Sequence, residues 1–484
     1  MKKSISRTAA LVLSAVILTG GLVGCKSKDK TPAAGAGAKP TSIVMTTDTF
    51  LKPEDGMAEW IEKFKGKTGI DLKITQLVHN QYYEKLNLQF VSNEIPDVLE
   101  IGGTALTNYA NKGALYDMTK LVENSQVLKN IDKKYADSLK VNGKIYAFPL
   151  QGGGGTITYL RKDWLDKCGL KVPTTYEEFI AVLKAFKELP DSSGKKTNIP
   201  YSAAGLISDD LSVPATMYVR EFYQDAVPDF TQVNGKWVDG MAQPNMKDAL
   251  QRMRTAYADG LIDTEIITNK TSSVRDKFYA GKIGAFTYWA GDWNRVIETS
   301  LQKAVKDGTV VAIPAIKGVD YYERAPIALA ISKNAKNPEG IFKYLIEYMH
   351  DGGEGEDIFT NGFKDMSWTM KDGKAVKLPG KADPKLPAPK IYKAPEFTIS
   401  NYKNPIALDP RVTSSLEIFK KSSVLVPALP ASDVLNKSIP DLLKLKKEVI
   451  AKIVYGELSI EDGLAKYQKE SKSLVDAVLA DLNK

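Results

Sequence analysis

The stretch from Thr41 to Thr104 alternates its elements in an order that few folds can use. "TSIVMTTDTF" reads as a β-run, "GMAEWIEKFKGKTGI" sets Met57, Trp60, Ile61 and Phe64 at helical spacing and predicts a helix stopping at Gly66, and "DLKITQLV" returns to strand. "QYYEKLNLQFVSNEIPDVLEIGG" then gives a helix, Pro96 and a short buried strand ending in glycines. This succession predicts a parallel sheet with helices on its faces, an α/β architecture. Such sheets bind ligands beyond the carboxyl ends of their strands. There this chain places Thr47 and Asp48 after the first strand, and Glu100, Gly102 and Thr104 after the third.

The N-terminus sets the compartment. "MKKSISR" carries Lys2, Lys3 and Arg7, and "TAALVLSAVILTGGLVG" follows as an apolar run of small residues, the order of a secretory signal. The run ends in "LVGC", which resembles a bacterial lipobox; residues 1–24 are then a signal peptide and Cys25 is lipidated. "KSKDKTPAAGAGAKP" has the composition of a tether over residues 25–40. Of 2 cysteines, lipidation of Cys25 leaves Cys168 without a partner, so stability has to come from a large core. The excess of 66 Lys+Arg over 58 Asp+Glu is scattered rather than clustered with aromatics. Nucleic acid is therefore not an expected partner, and mild attraction to an anionic cell surface is.

The four glycines in "PLQGGGGTITYLRKDWL" invite a phosphate reading. No Lys-Ser/Thr follows them and the next run is β-like, so neither a P-loop nor a dinucleotide fingerprint is satisfied. The run suits a crossing where backbone bends or nears a ligand, with Gln151 and Tyr159 beside it as candidate contacts. Enzyme chemistry is equally thin. The chain has 2 His, His79 and His350, each read as a helix-boundary or surface residue, and no nucleophile motif accompanies either. A carboxylate pair for glycoside cleavage needs only two acids at the right distance, so a secreted glycan hydrolase stays open as an alternative.

Of 6 tryptophans, two stand four apart in "AGKIGAFTYWAGDWNRVIE". The strand leads to Tyr288 and Trp289, Gly291 turns the chain, and Asp292 is placed to cap a helix beginning at Trp293. A sugar ring needs a flat aromatic surface for its C–H face and polar groups for its hydroxyl edge, which a tryptophan beside Asp292 supplies. Core packing is the alternative for both Trp289 and Trp293. Trp60, Trp164 and Trp237 read as core or surface.

"IPDVLEIGG...YANKGALYDMT", "GKIYAFP...TYLRKDWLDKCGLKVPTTYEEF", "FYAGKIGAFTYWAGDW" and "PIALAISKNAKNPEGIFKYLIEYM" resemble, in order and spacing, the extracellular solute-binding proteins of family 1, the sugar receptors of ABC importers, in their large Gram-positive lipoprotein branch. "GEGEDIFTNGFKDMSWTMKDGKAVKLPG" and the closing "KIVYGELSIEDGLAKYQKESKSLVDAVLADLNK" resemble that branch too. The resemblance implies two hinge-linked α/β lobes of type II: 41–150 with 327–360, and 151–326 with 361–484. It places crossings near Phe148–Gly153, near Arg324–Leu329 and around 355–375. It favours Trp293 as the stacking aromatic. It further implies an oligosaccharide ligand, an ABC permease as partner, no cofactor, no catalysis, and a monomer anchored by lipid on the outer face of the cell membrane. One departure concerns metal. Where many relatives carry a calcium-like loop, "LPDSSGKKTNIPYS" offers Asp191 and Asn198 but too few oxygen ligands, so a plain turn without metal is expected.

Overall fold

The structure is a computed structural model and describes residues 37–48, 56–78, 81–191, 193–208, 213–378, 393–426, 429–430 and 432–484. The expected signal peptide, Cys25, most of the expected tether, and His79 lie outside the described residues.

The first lobe is built on a sheet in the order Asp71–Gln76, Ser42–Thr47, Val98–Ile101, Ala328–Ile331, Ala147–Pro149. Its three N-terminal strands are parallel, as the alternation of elements requires. Ala328–Ile331 arrives much later in the chain and slots antiparallel between Val98–Ile101 and Ala147–Pro149. The helix Met57–Thr68 buries Trp60 and Phe64, stacked with ring centroids 5.2 Å apart, beneath this sheet's cluster. It runs through the expected stop at Gly66 to Gly69, whose φ of 71° ends it at no steric cost.

The second lobe carries a sheet in the order Val310–Ala312, Thr156–Arg161, Ile283–Trp289, Ile199–Ser202. Trp164 is buried in its core. Trp237 packs partly buried against a smaller cluster beside the C-terminal helices Asp433–Val454 and Ile460–Leu482.

The lobes meet where extended segments run side by side. Gly155 bridges Glu323, the Arg324 N–H donates to the Gly154 carbonyl at 3.1 Å, and Tyr321–Arg324 pairs in parallel with Ser423–Val426. Backbone lies this close because the crossing has no side chains. A Cβ on Gly153 would stand 2.0 Å from the Arg324 carbonyl oxygen.

The third passage differs from expectation. Beyond residue 360 several described residues still belong to the first lobe: Phe363 and Ile399 pack on its core, and Tyr402 and Asn404 hydrogen-bond Asp357. The chain reaches the second lobe at helix Pro410–Ser422, whose Phe419 joins that core. The crossing therefore falls between Asn404 and Pro410, and not around 355–375. What holds the segment back is a buried ion pair, Lys393 Nζ to Glu356 Oε1 at 3.0 Å, both side chains fully buried. His350 belongs to that cluster. It does end a helical turn, but it is buried at 3% exposure with Nδ1 3.1 Å from Lys393 Nζ, not on the surface. Burial and the lysine's charge hold its pKa well below the usual range.

Candidate functional site

The strand Ile283–Trp289 is buried through Tyr288 and surfaces at Trp289. Gly291, at φ 82°, then turns the chain into helix Asp292–Leu301. The helix starts one residue before the expected Trp293, because glycine makes the turn itself. Asp292 is consequently not a side-chain cap. Its carboxylate, 46% exposed, accepts from Arg295 Nε and Nη2, both at 2.8 Å.

Trp289 and Trp293 line one wall of a cleft of about 140 Å³, with Gln151 and Gly152–Gly154 on the floor and Arg324, Pro326, Ile327, Glu396 and Phe397 around it. The Arg324 guanidinium lies over the Trp289 ring, 4.7 Å from its centroid. Trp293 receives Tyr288 edge-on at 4.8 Å and the Arg275 guanidinium at 4.9 Å. Both indoles are half-buried, as a platform at a rim has to be. Gln151 Oε1 accepts from the Ala394 N–H at 2.6 Å, and the Gly152 N–H donates to the Phe397 carbonyl at 2.7 Å. The glycine crossing thus holds the returning segment against the cleft.

Tyr159 does not face the cleft. It is fully buried, and its hydroxyl donates to the Trp289 carbonyl at 2.8 Å, which steadies the platform from behind.

The first-lobe candidates gather at the carboxyl ends of their strands, as predicted. Thr47 Oγ1 donates to Glu100 Oε2 at 2.5 Å, the Asp48 N–H donates to the same oxygen at 3.0 Å, and the Gly102 N–H donates to the Tyr83 hydroxyl at 3.1 Å. A Cβ on Gly102 would lie 3.8 Å from the Ile327 Cα. This group therefore adjoins the cleft through Pro326–Ile327 without lining it. Thr104 is half-buried in the first turn of helix Gly103–Asn111.

Glu396 and Phe397 were not found from the sequence, and Arg324 was read only as the edge of a crossing. Nothing local in "KAPEF" separates Glu396 and Phe397 from an ordinary loop, since their importance comes from where the third passage lies. Burial raises the Glu396 pKa, and its Cγ would be 3.4 Å from a Cβ on Gly291, beside the helix start.

The Asp191 turn closes on itself. Its carboxylate accepts from the Ser193 and Lys195 N–H groups at 2.8 and 3.0 Å and from the Thr197 and Ser193 hydroxyls, which hold it well below the usual carboxylate range. Among the described residues no group of three or more His, Cys, Asp or Glu could hold a metal ion, and no helix is long and apolar enough to cross a membrane. A larger cavity, about 380 Å³, lies elsewhere on the second lobe between Gly205–Ile207 and Lys447–Glu457, and gathers none of the residues picked out from the sequence.

Two α/β lobes joined by crossing strands, with an aromatic-walled cleft at the crossing, define a hinged receptor for a small solute. The family model for bacterial extracellular solute-binding proteins matches residues 52–349, and the chain belongs to that family. It is 24% identical over 387 residues to Lipoprotein LipO of Bacillus subtilis (strain 168), a match covering 76% of this chain and 74% of LipO. To a carbohydrate ABC transporter substrate-binding protein of Streptococcus pneumoniae serotype 4 it is 28% identical over 387 residues, 75% of this chain and 73% of the other. Among solved structures, an HMO-binding ABC-transporter-associated solute-binding protein from Bifidobacterium longum infantis superposes with a TM-score of 0.69 at 18% identity, covering 92% of this chain and 98% of that one.

Proposed function

We propose that this chain is the carbohydrate-binding lipoprotein of an ABC importer, closing its lobes on an oligosaccharide and delivering it to the permease. The observation that carries the reading is the pair of half-buried tryptophans in a cleft at the crossing strands. The carbohydrate name of the Streptococcus pneumoniae relative supports it. Trp293 and Trp289 present the ring surfaces, Gln151 lies on the floor of the cleft, and the Asp48–Glu100–Gly102 group adjoins it. Asp292 is spent largely on Arg295 and contributes charge at the rim.

The hydrolase alternative asks for two carboxyl groups facing each other across a glycosidic bond. Among the described residues lining the cleft the one acid is Glu396, which favours capture without cleavage.

The test is a panel of maltotriose, kestose, raffinose, chitobiose and trigalacturonate, followed by melting shift and by assay for new reducing ends. A sugar at about a hundred times its dissociation constant stabilises by roughly 2.7 kcal/mol. Stoichiometric binding without new reducing ends is expected; steady release beyond one equivalent would move the assignment to the hydrolase. Trp293→Ala should weaken that binding roughly tenfold, about 1.4 kcal/mol, with melting little changed; a large melting loss at unchanged affinity would return Trp293 to core packing.

The anchor rests on Cys25 at the end of the signal run. Cys25→Ser should release the protein from the membrane fraction with sugar binding intact, and retention of the variant there would refute lipid anchoring.

A further inference from the structure

The glycines of the crossing face two different surroundings, as successive residues of an extended chain do. A Cβ on Gly153 or Gly155 would stand 2.0 Å from the carbonyl oxygen of Arg324 or Tyr322 respectively. Those two residues are glycine because a neighbouring strand occupies the space. Gly154 is different. A Cβ there would meet Trp289 Cζ3 at 3.6 Å, Trp289 Cε3 at 3.7 Å and Phe397 Cζ at 3.8 Å, ordinary van der Waals distances. Its φ is not in the positive region either. Neither packing nor backbone conformation demands glycine at 154, and the effect of having one is an open, methyl-sized slot touched by both rings.

The ring on the far side is held in place. Phe397 follows Lys393, which is buried on Glu356, and its carbonyl accepts from the Gly152 N–H, while Ser400 donates to Glu356. Trp289 belongs to the second-lobe sheet and Phe397 to a segment fastened to the first. Whatever fills the slot touches both lobes.

We propose that Gly154 and Phe397 complete a sugar subsite with Trp289: an apolar C–H edge of one hexose residue enters the slot over Gly154 and is gripped between the two rings. The inference rests on the carbohydrate reading above and adds to it the residues that clamp the ring and couple it to closure. Phe397 supplies the second apolar surface that a pyranose offers a partner for, and the missing side chain at 154 sets how deep the sugar sits.

The experiment uses the full chain and the panel sugar that gives the wild type its largest melting shift. Gly154→Ala should melt within about 2 °C of the wild type, since less than about 1 kcal/mol is at stake in the fold, and should bind at least about tenfold more weakly. Phe397→Ala should lose affinity to a similar degree, and Phe397→Tyr should keep it within about threefold. Gly154→Ala binding within about twofold of the wild type overturns the proposal, as does its failure to fold, which would show that the slot is not free. Should the wild type itself shift with no sugar on the panel, the carbohydrate reading falls and the subsite with it. The two failures are told apart by whether the wild type binds.

Discussion

Lys393→Met should destabilise the folded chain by about 3–5 kcal/mol, the usual cost of removing one partner from a buried pair. The lysine is fully buried, and its ammonium donates to Glu356 Oε1 at 3.0 Å and to the Met349 carbonyl at 2.8 Å. Burial lowers its pKa, and Glu356 opposes that. Methionine keeps the length of the chain but leaves Glu356 as a buried carboxylate, with Ser400 and the Gly352 N–H, at 3.2 Å, as its remaining partners among the described residues. Denaturant titration of Lys393→Met, Glu356→Gln and the double variant closes a cycle. The double variant should be more stable than Lys393→Met alone, because the stranded charge is gone. A loss below about 1 kcal/mol in the single variant would mean that the pair does not fasten the segment. The same variant should bind sugar more weakly, since Lys393 leads directly into Glu396 and Phe397 at the cleft.

That cluster marks where the sequence stops being legible. The three parallel strands of the first lobe could be read because each strand and helix between Ser42 and Ile101 declares itself by local periodicity and these strands pair with one another; Ala328–Ile331, the other neighbour of Val98–Ile101, lies far away in sequence. The turn that carries Trp289 and Trp293 could be read because the strand before it bears no charge and a glycine turn follows, while core packing stayed open for both residues. Lys393 and Glu396 carry no such signal. An isolated lysine in a Pro- and Lys-rich stretch reads as solvated surface, and only its partners in a distant part of the chain, Glu356 and His350, make it core. The same distance hid the third passage, so the second boundary of the first lobe was set too early. Asp292 was misjudged for a local reason: a glycine with positive φ can begin a helix without a side-chain cap, and the aspartate one residue later is then free to pair with Arg295.

Gly155→Ala should be far more damaging than Gly154→Ala, although the two residues adjoin. The added Cβ would stand 2.0 Å from the Tyr322 carbonyl oxygen and 2.6 Å from two ring carbons of Phe419. The first of these is backbone and cannot rotate away. The crossing strand and Tyr321–Arg324 would have to separate by more than an ångström, with loss of the Arg324 N–H bond to the Gly154 carbonyl at 3.1 Å. Overpacking of this kind costs about 1–3 kcal/mol, and more where backbone must move. The damage extends to the site, because the Ala290 N–H donates to the Gly155 carbonyl at 2.9 Å and so ties the residue after Trp289 to the glycine that shifts. Melting and sugar titration of the two alanine variants side by side give a pattern that neither measurement gives alone. Gly155→Ala should lose both stability and affinity, whereas Gly154→Ala should lose affinity only. Wild-type melting in Gly155→Ala would show that the crossing strands are not in close contact in solution, and the glycine run would then owe its composition to the ligand alone.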